Sequence, residues 1–90
     1  MAVRYLARID VMLKALVNDP QGLTVLDGLK TLGFESVDRV RIGKRIELTV
    51  EAASEQAARQ AVTEMCDRLL ANPVIEDFTF EISEVAATEA

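Results

Sequence analysis

The chain has 90 residues, half of them hydrophobic, and a formal net charge of −5. The negative charge argues against a protein that binds the phosphate backbone of nucleic acids, and the apolar content argues against a disordered chain. A single cysteine and no histidine exclude an internal disulfide and a His/Cys metal site within one chain. No apolar run approaches the ~20 residues of a membrane span and no signal peptide is visible, so we expect a cytoplasmic protein.

The first predicted element is a long strand over residues 3–13. Apolar residues occupy its odd positions, and mostly charged residues occupy its even positions. Alternation with period two indicates a strand with one buried face. Leu6 and Met12 interrupt the charged face. They are either scattered surface residues or part of a subunit interface, and the pattern leaves both interpretations open.

A helix is predicted over residues 20–32. Asp19 is a favourable N-cap, Pro20 suits the first helical position, and Gly33 suits the left-handed residue that ends a helix. The residues that share one helical stripe are apolar, which predicts packing on a sheet. They are Val25, Leu26, Leu29 and Leu32.

A β-hairpin is predicted over residues 37–51, with its turn at Gly43. Alternating apolar residues stand on both sides of this glycine, which can supply a positive φ or a bulge. The predicted tip is basic and is either a solvated surface or a docking site for an acidic partner. Its cations are Arg39, Arg41, Lys44 and Arg45.

A second helix and a last strand complete the pattern. Ser54 is the predicted N-cap of the helix, and Pro73 ends it because the residue before proline disfavours helical angles. The last strand is predicted over residues 74–82. Cys66 is either a small buried hydrophobe or a reactive thiol, although no histidine could activate it. The apolar stripe of the helix consists of Ala58, Ala61, Val62, Met65, Cys66 and Leu69.

These elements predict an α+β fold of the ferredoxin-like type, in the order β-α-β-β-α-β. Right-handed crossovers place both helices on one face of a four-stranded antiparallel sheet, with the strands ordered last, first, third, second. The open face and exposed edges favour a dimer. We expect a single domain over residues 1–84 and a frayed tail over residues 85–90.

A search for reactive groups predicts no catalytic, cofactor-binding or metal site. Without histidine, no Ser-His or Cys-His pair can form. Gly43 and Lys44 lie between predicted strands rather than at a helix start, which argues against a phosphate loop. Paired carboxylates such as Glu76 and Asp77 are interpreted as solvated surface in so acidic a chain. The third strand carries no outward aromatic residue for stacking RNA bases. A binding or assembly module is the remaining interpretation.

Several local sequences occur together in one order: Asp19-Pro20-Gln21-Gly22, Val40-Arg41-Ile42-Gly43-Lys44, and the run over residues 69–77. In this combination the chain resembles the PurS subunit family of phosphoribosylformylglycinamidine synthase, also called formylglycinamide ribonucleotide amidotransferase. The resemblance extends over about residues 3–83.

The resemblance implies a role in de novo purine biosynthesis. The complex converts formylglycinamide ribonucleotide, glutamine and ATP to formylglycinamidine ribonucleotide, glutamate, ADP and phosphate. A glutaminase subunit releases ammonia, and a synthetase subunit, on which we expect ATP and magnesium, uses it. The PurS-like subunit is implied to be a non-catalytic homodimer or tetramer that bridges the two and aids ammonia transfer.

Two groups of residues are candidate contacts with a partner or within the dimer: Arg41, Gly43 and Lys44 at the predicted hairpin, and Asn72 and Pro73 before the last strand. The alternative function is that of an ACT-like regulatory domain, which shares the same element order. Such a domain would bind an amino acid near residues 18–22.

Overall fold

The computed structural model describes residues 2–15 and 17–85; of the predicted tail, residues 86–90 lie outside this part of the chain. An α+β fold with two α-helices and an antiparallel sheet is confirmed. The elements in chain order are β1 (Val3–Leu13), α1 (Pro20–Thr31), β2 (Gly43–Ala52), α2 (Glu55–Met65), a π-helical turn (Cys66–Leu70) and β3 (Glu76–Glu84).

The sheet has the order β2-β1-β3, and both pairs of neighbours are antiparallel. Ile9 of β1 stands opposite Ile46 on one side and Phe80 on the other. Residues that stand opposite each other in antiparallel strands share a face, so the apolar positions of all three strands lie on one side. The predicted alternation is confirmed, as is the relative order of the last, first and third predicted strands.

The core lies between this apolar face and α2. Ile9 and Val11 of β1 are buried there with Val62 and Cys66, whereas the apolar residues of the two outer strands are only partly buried. The central strand β1 is therefore flanked by β2 and β3 and covered on its apolar face by α2. The outer strands β2 and β3 each have one free edge and only partly buried apolar side chains.

The predicted four-stranded sheet and the hairpin at Gly43 are wrong. The described residues form three strands, and residues 37–42 lead into β2 without regular secondary structure or strand pairing. Among the glycines that the structure describes, only Gly33 has a positive φ, so the chain does not reverse at Gly43. The backbone N–H of Ile42 instead donates to Asp19 Oδ2 (2.8 Å), which ties this segment to the start of α1.

The predicted placement of both helices on the sheet is also wrong. In the described part of the chain, α1 makes no extensive contact with a strand or with α2. It packs instead along residues 37–42, where Gly22 lies against the carbonyl oxygen of Val40. The molecule is consequently elongated, at 55 × 31 × 15 Å, and its radius of gyration is 17.1 Å against about 12 Å for a compact chain of this length.

The buried stripe of α2 ends differently from the prediction. Ala71 N donates to Cys66 O (3.0 Å), a hydrogen bond five residues apart that defines a π-helical turn. The wider turn carries Leu70 to the core, whereas Leu69 is 82% exposed. The assignment of Leu69 to the buried stripe is therefore wrong, because it assumed a constant 3.6 residues per turn.

Candidate interaction site

The two predicted groups of contact residues lie at the same end of the sheet. The last residues of β1 stand between the first residues of the outer strands: Met12 pairs with Gly43, and Leu13 pairs with Glu76. Residues 41–44 therefore flank one side of this end, and residues 72–73 lead into the other side. The structure brings together two groups that are about thirty positions apart in the chain.

Arg41 and Gly43 shape this end of the sheet from within. Arg41 is partly buried, and its Nη2 donates to the carbonyl oxygen of Leu13. A Cβ atom added at Gly43 would lie 2.5 Å from the Val11 carbonyl oxygen and would contact Met12 Sδ. Glycine is thus required here by the close approach of β1 rather than by a turn.

Three of the basic residues around this end of the sheet differ in whether they form a salt bridge. Arg45 pairs with Asp10 (3.4 Å) and Glu47 (3.3 Å) on the outer face of the sheet. Arg39 and Lys44 are exposed, and in the part of the chain that the structure describes neither has a carboxylate within salt-bridge distance. These two cations are the ones that an acidic partner surface can reach.

The loop before β3 presents apolar side chains, and side-chain hydrogen bonds hold its backbone. Asn72 Oδ1 accepts a hydrogen bond from Val74 N (3.1 Å), and Glu76 Oε1 accepts one from Asn72 N (2.7 Å). Asn72 therefore shapes the loop, while Pro73 and Val74 are exposed, Val74 to 78%. Leu69 is also exposed, so the segment over residues 69–74, which leads to the start of β3, carries several exposed apolar side chains.

Asp19 has a role that the sequence pattern did not reveal. Its predicted N-cap bond is present, with Gly22 N donating to Oδ1 (2.9 Å), but its other oxygen accepts the bond from Ile42 N. These backbone hydrogen bonds, the one from Ile42 first, lower the pKa of Asp19. Nothing local in the sequence indicates a contact across 23 positions, so only the fold could show that Asp19 joins α1 to the start of β2.

Cys66 is fully buried. Burial raises the pKa of its thiol, and the neighbouring Asp67 carboxylate raises it further. This environment favours the interpretation of Cys66 as a small core residue. Within residues 2–15 and 17–85, no group of three His, Cys, Asp or Glu side chains could hold a metal ion, and no helix is long and apolar enough to cross a membrane.

Residues 6–84 match the family model described as PurS: Phosphoribosylformylglycinamidine (FGAM) synthase. The chain belongs to the PurS family. It is 52% identical to the PurS subunit of phosphoribosylformylglycinamidine synthase from Synechocystis sp. over 83 residues. The aligned region covers 92% of this chain and 83% of that relative. The resemblance found in the sequence motifs is thereby confirmed.

Solved PurS structures have the same fold. PurS of Methanocaldococcus jannaschii, one of the subunits of formylglycinamide ribonucleotide amidotransferase, superposes with a TM-score of 0.82 at 35% identity, over 91% of this chain and 99% of that one. A chain of PurLQS from Thermotoga maritima superposes with a TM-score of 0.78 at 35% identity, over 91% and 98% of the two chains.

Proposed function

We propose that this PurS-family chain is the small subunit of phosphoribosylformylglycinamidine synthase in purine biosynthesis, and that it bridges the glutaminase and synthetase subunits. The observation that carries the proposal is the match of residues 6–84 to the PurS family. The likeness to a chain of PurLQS supports assembly with other subunits of the synthase. The complex is a ligase that consumes glutamine and ATP, with ATP and magnesium on the synthetase subunit.

The contribution of this chain is to position the two active sites. Ammonia released into water is diluted and protonated at neutral pH, so a bridge that holds donor and acceptor sites together raises its effective concentration. The chain itself supplies no catalytic group in this proposal. In support, Cys66 is enclosed in the core, and both oxygens of Asp19 are engaged by backbone N–H groups.

The end of the sheet is the proposed surface for a partner subunit. Lys44 and Pro73 are exposed and would touch the partner, whereas Arg41, Gly43 and Asn72 would hold the surface in shape through the contacts described above. Protein interfaces usually have apolar side chains at the centre and polar or charged side chains at the rim. Pro73 would belong to the centre of the proposed surface and Lys44 to its rim.

A homodimer is part of the same proposal, with a tetramer as the larger alternative. Both outer strands expose an edge, and the elongated shape leaves apolar side chains of α1 in solvent. Small domains with a thin core gain stability by association.

Reconstitution tests the proposed function. We would mix this chain with the glutaminase and synthetase subunits and measure synthesis driven by glutamine and, separately, by added ammonia. Omitting this chain should abolish most glutamine-driven turnover and spare most ammonia-driven turnover. An equal effect of omission on the two rates, or none on either, would contradict the bridging role.

The ACT-like alternative predicts an amino-acid site near residues 18–22. A cavity of about 170 Å³ lies there, between Asp19, Leu26 and the segment that contains Val40. Because the Asp19 carboxylate is already occupied by two N–H donors, it is poorly placed to receive an α-amino group. Calorimetric titration with amino acids distinguishes the two functions: saturable heat would favour the alternative.

A further inference from the structure

The outer strand β3 has a free edge along its whole length. In the sheet order β2-β1-β3, β1 is the only strand beside it among the described residues. The edge runs over nine residues, Glu76–Glu84, and contains neither proline nor lysine, the residues that commonly keep further strands from pairing. β3 begins shortly after Pro73, so its edge continues from the proposed partner surface.

The register with β1 shows which backbone groups of β3 point to this edge. Lys14 N donates to Ile75 O (2.8 Å), one pair beyond the start of β3. Val85 N donates to Arg4 O (2.8 Å), one pair beyond its end. Because hydrogen-bonded and non-hydrogen-bonded pairs alternate in antiparallel strands, the even-numbered residues of β3 direct their N–H and C=O groups away from β1. Those in the middle of the edge are Phe78, Phe80 and Ile82.

The same three residues carry apolar side chains that are only partly buried. Phe78, Phe80 and Ile82 pack against the core without being enclosed by it. The two phenyl rings are stacked, with their centroids 6.4 Å apart and an angle of 9° between the ring planes. Cross-strand pairs of aromatic and aliphatic side chains stabilise a sheet. A strand added at this edge would therefore gain apolar contacts at alternate positions as well as backbone hydrogen bonds.

The charge of β3 indicates what kind of strand can pair with it. Of its nine residues four are acidic and none is basic. Asp77 is paired with Lys14 (2.8 Å). Glu81 and Glu84 are exposed, and in the described part of the chain neither has a cation within salt-bridge distance. Two carboxylates along this edge are therefore available to a basic partner.

A second copy of β3 is a poor occupant of the edge. Two such strands side by side would oppose carboxylates with carboxylates, which is destabilising. An added strand that carries lysine or arginine would instead form ion pairs with Glu81 and Glu84. Charge complementarity thus favours a segment from a different protein over a second copy of this chain.

We propose that the free edge of β3 takes up an extended segment of another subunit of the synthase. The segment forms an additional strand in which apolar residues alternate with polar and basic ones. Its apolar side chains lie beside Phe78, Phe80 and Ile82, and its basic side chains lie near Glu81 and Glu84. Backbone hydrogen bonds supply affinity, and the alternating side chains supply specificity. The proposal rests on the bridging role of the proposed function and adds the strand that holds a partner and the chemistry of the segment held.

Hydrogen exchange of the wild-type chain tests the proposal. The chain would be incubated in deuterated buffer alone and with the glutaminase and synthetase subunits, singly and together, and exchange would be resolved by residue after quenching. In the chain alone, the amides of Phe78, Phe80 and Ile82 should exchange faster than those of Thr79 and Glu81, which β1 holds. With the partner subunit bound, the three edge amides should exchange about tenfold more slowly or less.

The other outcomes are equally informative. Protection of the three edge amides in the chain alone would show that another copy covers the edge, and it would overturn the proposal. A complex that forms without protecting them would overturn the proposal and leave the bridging role standing. If no complex formed with either subunit, the bridging role would fail and the proposal with it.

A pair of charge variants gives a second measurement. Glu81→Lys reverses a charge at the edge and should weaken binding of the partner subunit by roughly tenfold or more. Glu51→Lys makes the same change on β2, where the side chain is likewise exposed and likewise stands opposite an arginine. It should alter binding by less than about threefold. Equal effects of the two substitutions would contradict the proposal, and circular dichroism verifies that both variants are folded.

Discussion

At the scale of single residues, Asp19 joins two segments of the chain through its two carboxylate oxygens. One carboxylate caps α1 and also holds the segment that leads into β2, through hydrogen bonds of 2.9 Å from Gly22 N and 2.8 Å from Ile42 N. Both bonds favour the ionised form, so the pKa of Asp19 lies below its ordinary value. The contact between α1 and the segment over residues 37–42 therefore depends on one titrating group.

The pH dependence of stability should report this carboxylate. A carboxyl group whose pKa is lowered by folding stabilises the native state above its unfolded pKa of 3.8, and this stabilisation is lost as pH falls through the lower folded value. We expect the urea midpoint of the wild type to fall on acidification below about pH 4. Asp19→Asn should lower the midpoint at pH 7 and make the curve flatter in this window.

Asp27→Asn is the control for this measurement, because Asp27 is exposed on the same helix and its side chain makes no hydrogen bond in the described structure. It should leave both the midpoint at pH 7 and the acid slope close to those of the wild type. If Asp19→Asn and Asp27→Asn gave the same curves, the role assigned to Asp19 would be wrong.

Alanine substitutions at two glycines should have opposite effects on stability, one through close packing and the other through helix propensity. Gly43→Ala should destabilise the fold by about 1–3 kcal/mol, because the new Cβ would approach the Val11 carbonyl oxygen to 2.5 Å. Gly28→Ala adds the same methyl group to α1 where nothing lies within 4 Å, and it should stabilise by up to about 1 kcal/mol. Denaturant titration of both variants provides the measurement, and a neutral Gly43→Ala would contradict the close approach.

At the scale of elements, the end of α2 shows how one wide turn redirects a helix. Up to Cys66 the buried positions follow the periodicity of an α-helix, and after it the π-helical turn shifts the buried position from Leu69 to Leu70. The displaced Leu69 and, five positions later, Val74 are both exposed in the segment that leads to the start of β3. Turns of this kind occur often at functional sites, which agrees with the placement of the proposed partner surface.

Two leucines that adjoin in the sequence should respond differently to truncation. Leu70→Ala removes side-chain atoms that pack on the core and should cost about 2–3 kcal/mol in the free energy of unfolding. Leu69→Ala changes an exposed side chain and should alter stability by less than about 0.5 kcal/mol. The reverse order of the two effects would show that the helix continues as a regular α-helix through residue 70.

At the scale of the whole molecule, an elongated chain whose helix α1 projects from the sheet is suited to linking other proteins. The three strands and α2 pack together, and α1 and the end of the sheet remain available for association. Separate surfaces for self-association and for partner binding are what a bridging subunit requires, since each contact must persist while the other is made.

Lys44 tests the partner surface at this scale. Lys44→Glu should weaken assembly with the partner subunits by roughly fivefold or more, because it reverses an exposed charge at the proposed interface. The circular dichroism spectrum and the melting temperature should stay the same. Lys30→Glu makes the same change in charge on α1 and should leave assembly with the partners unaltered. Wild-type affinity of the Lys44 variant would remove Lys44 from the proposed contacts.

Local pattern alone determined much of this protein. The alternation in β1, the N-caps at Asp19 and Ser54, and the helix stop at Gly33 depend on contacts within a few residues, and the structure reproduces them. The PurS-type motifs were likewise sufficient to indicate the family. These features could be predicted because short-range sterics and hydrogen bonding decide them.

Only the tertiary structure decided what the segment over residues 37–42 does. Its alternation indicates an extended chain, but an extended chain can pair with any free edge, and no local signal names its neighbour. Here Asp19 and Gly22 bind it to α1, so it stays apart from β2, and Gly43 serves a close approach to β1 instead of a turn. Contacts between distant positions decide among pairings that are equivalent locally, and for this reason the placement of residues 37–42 could not be predicted from the sequence.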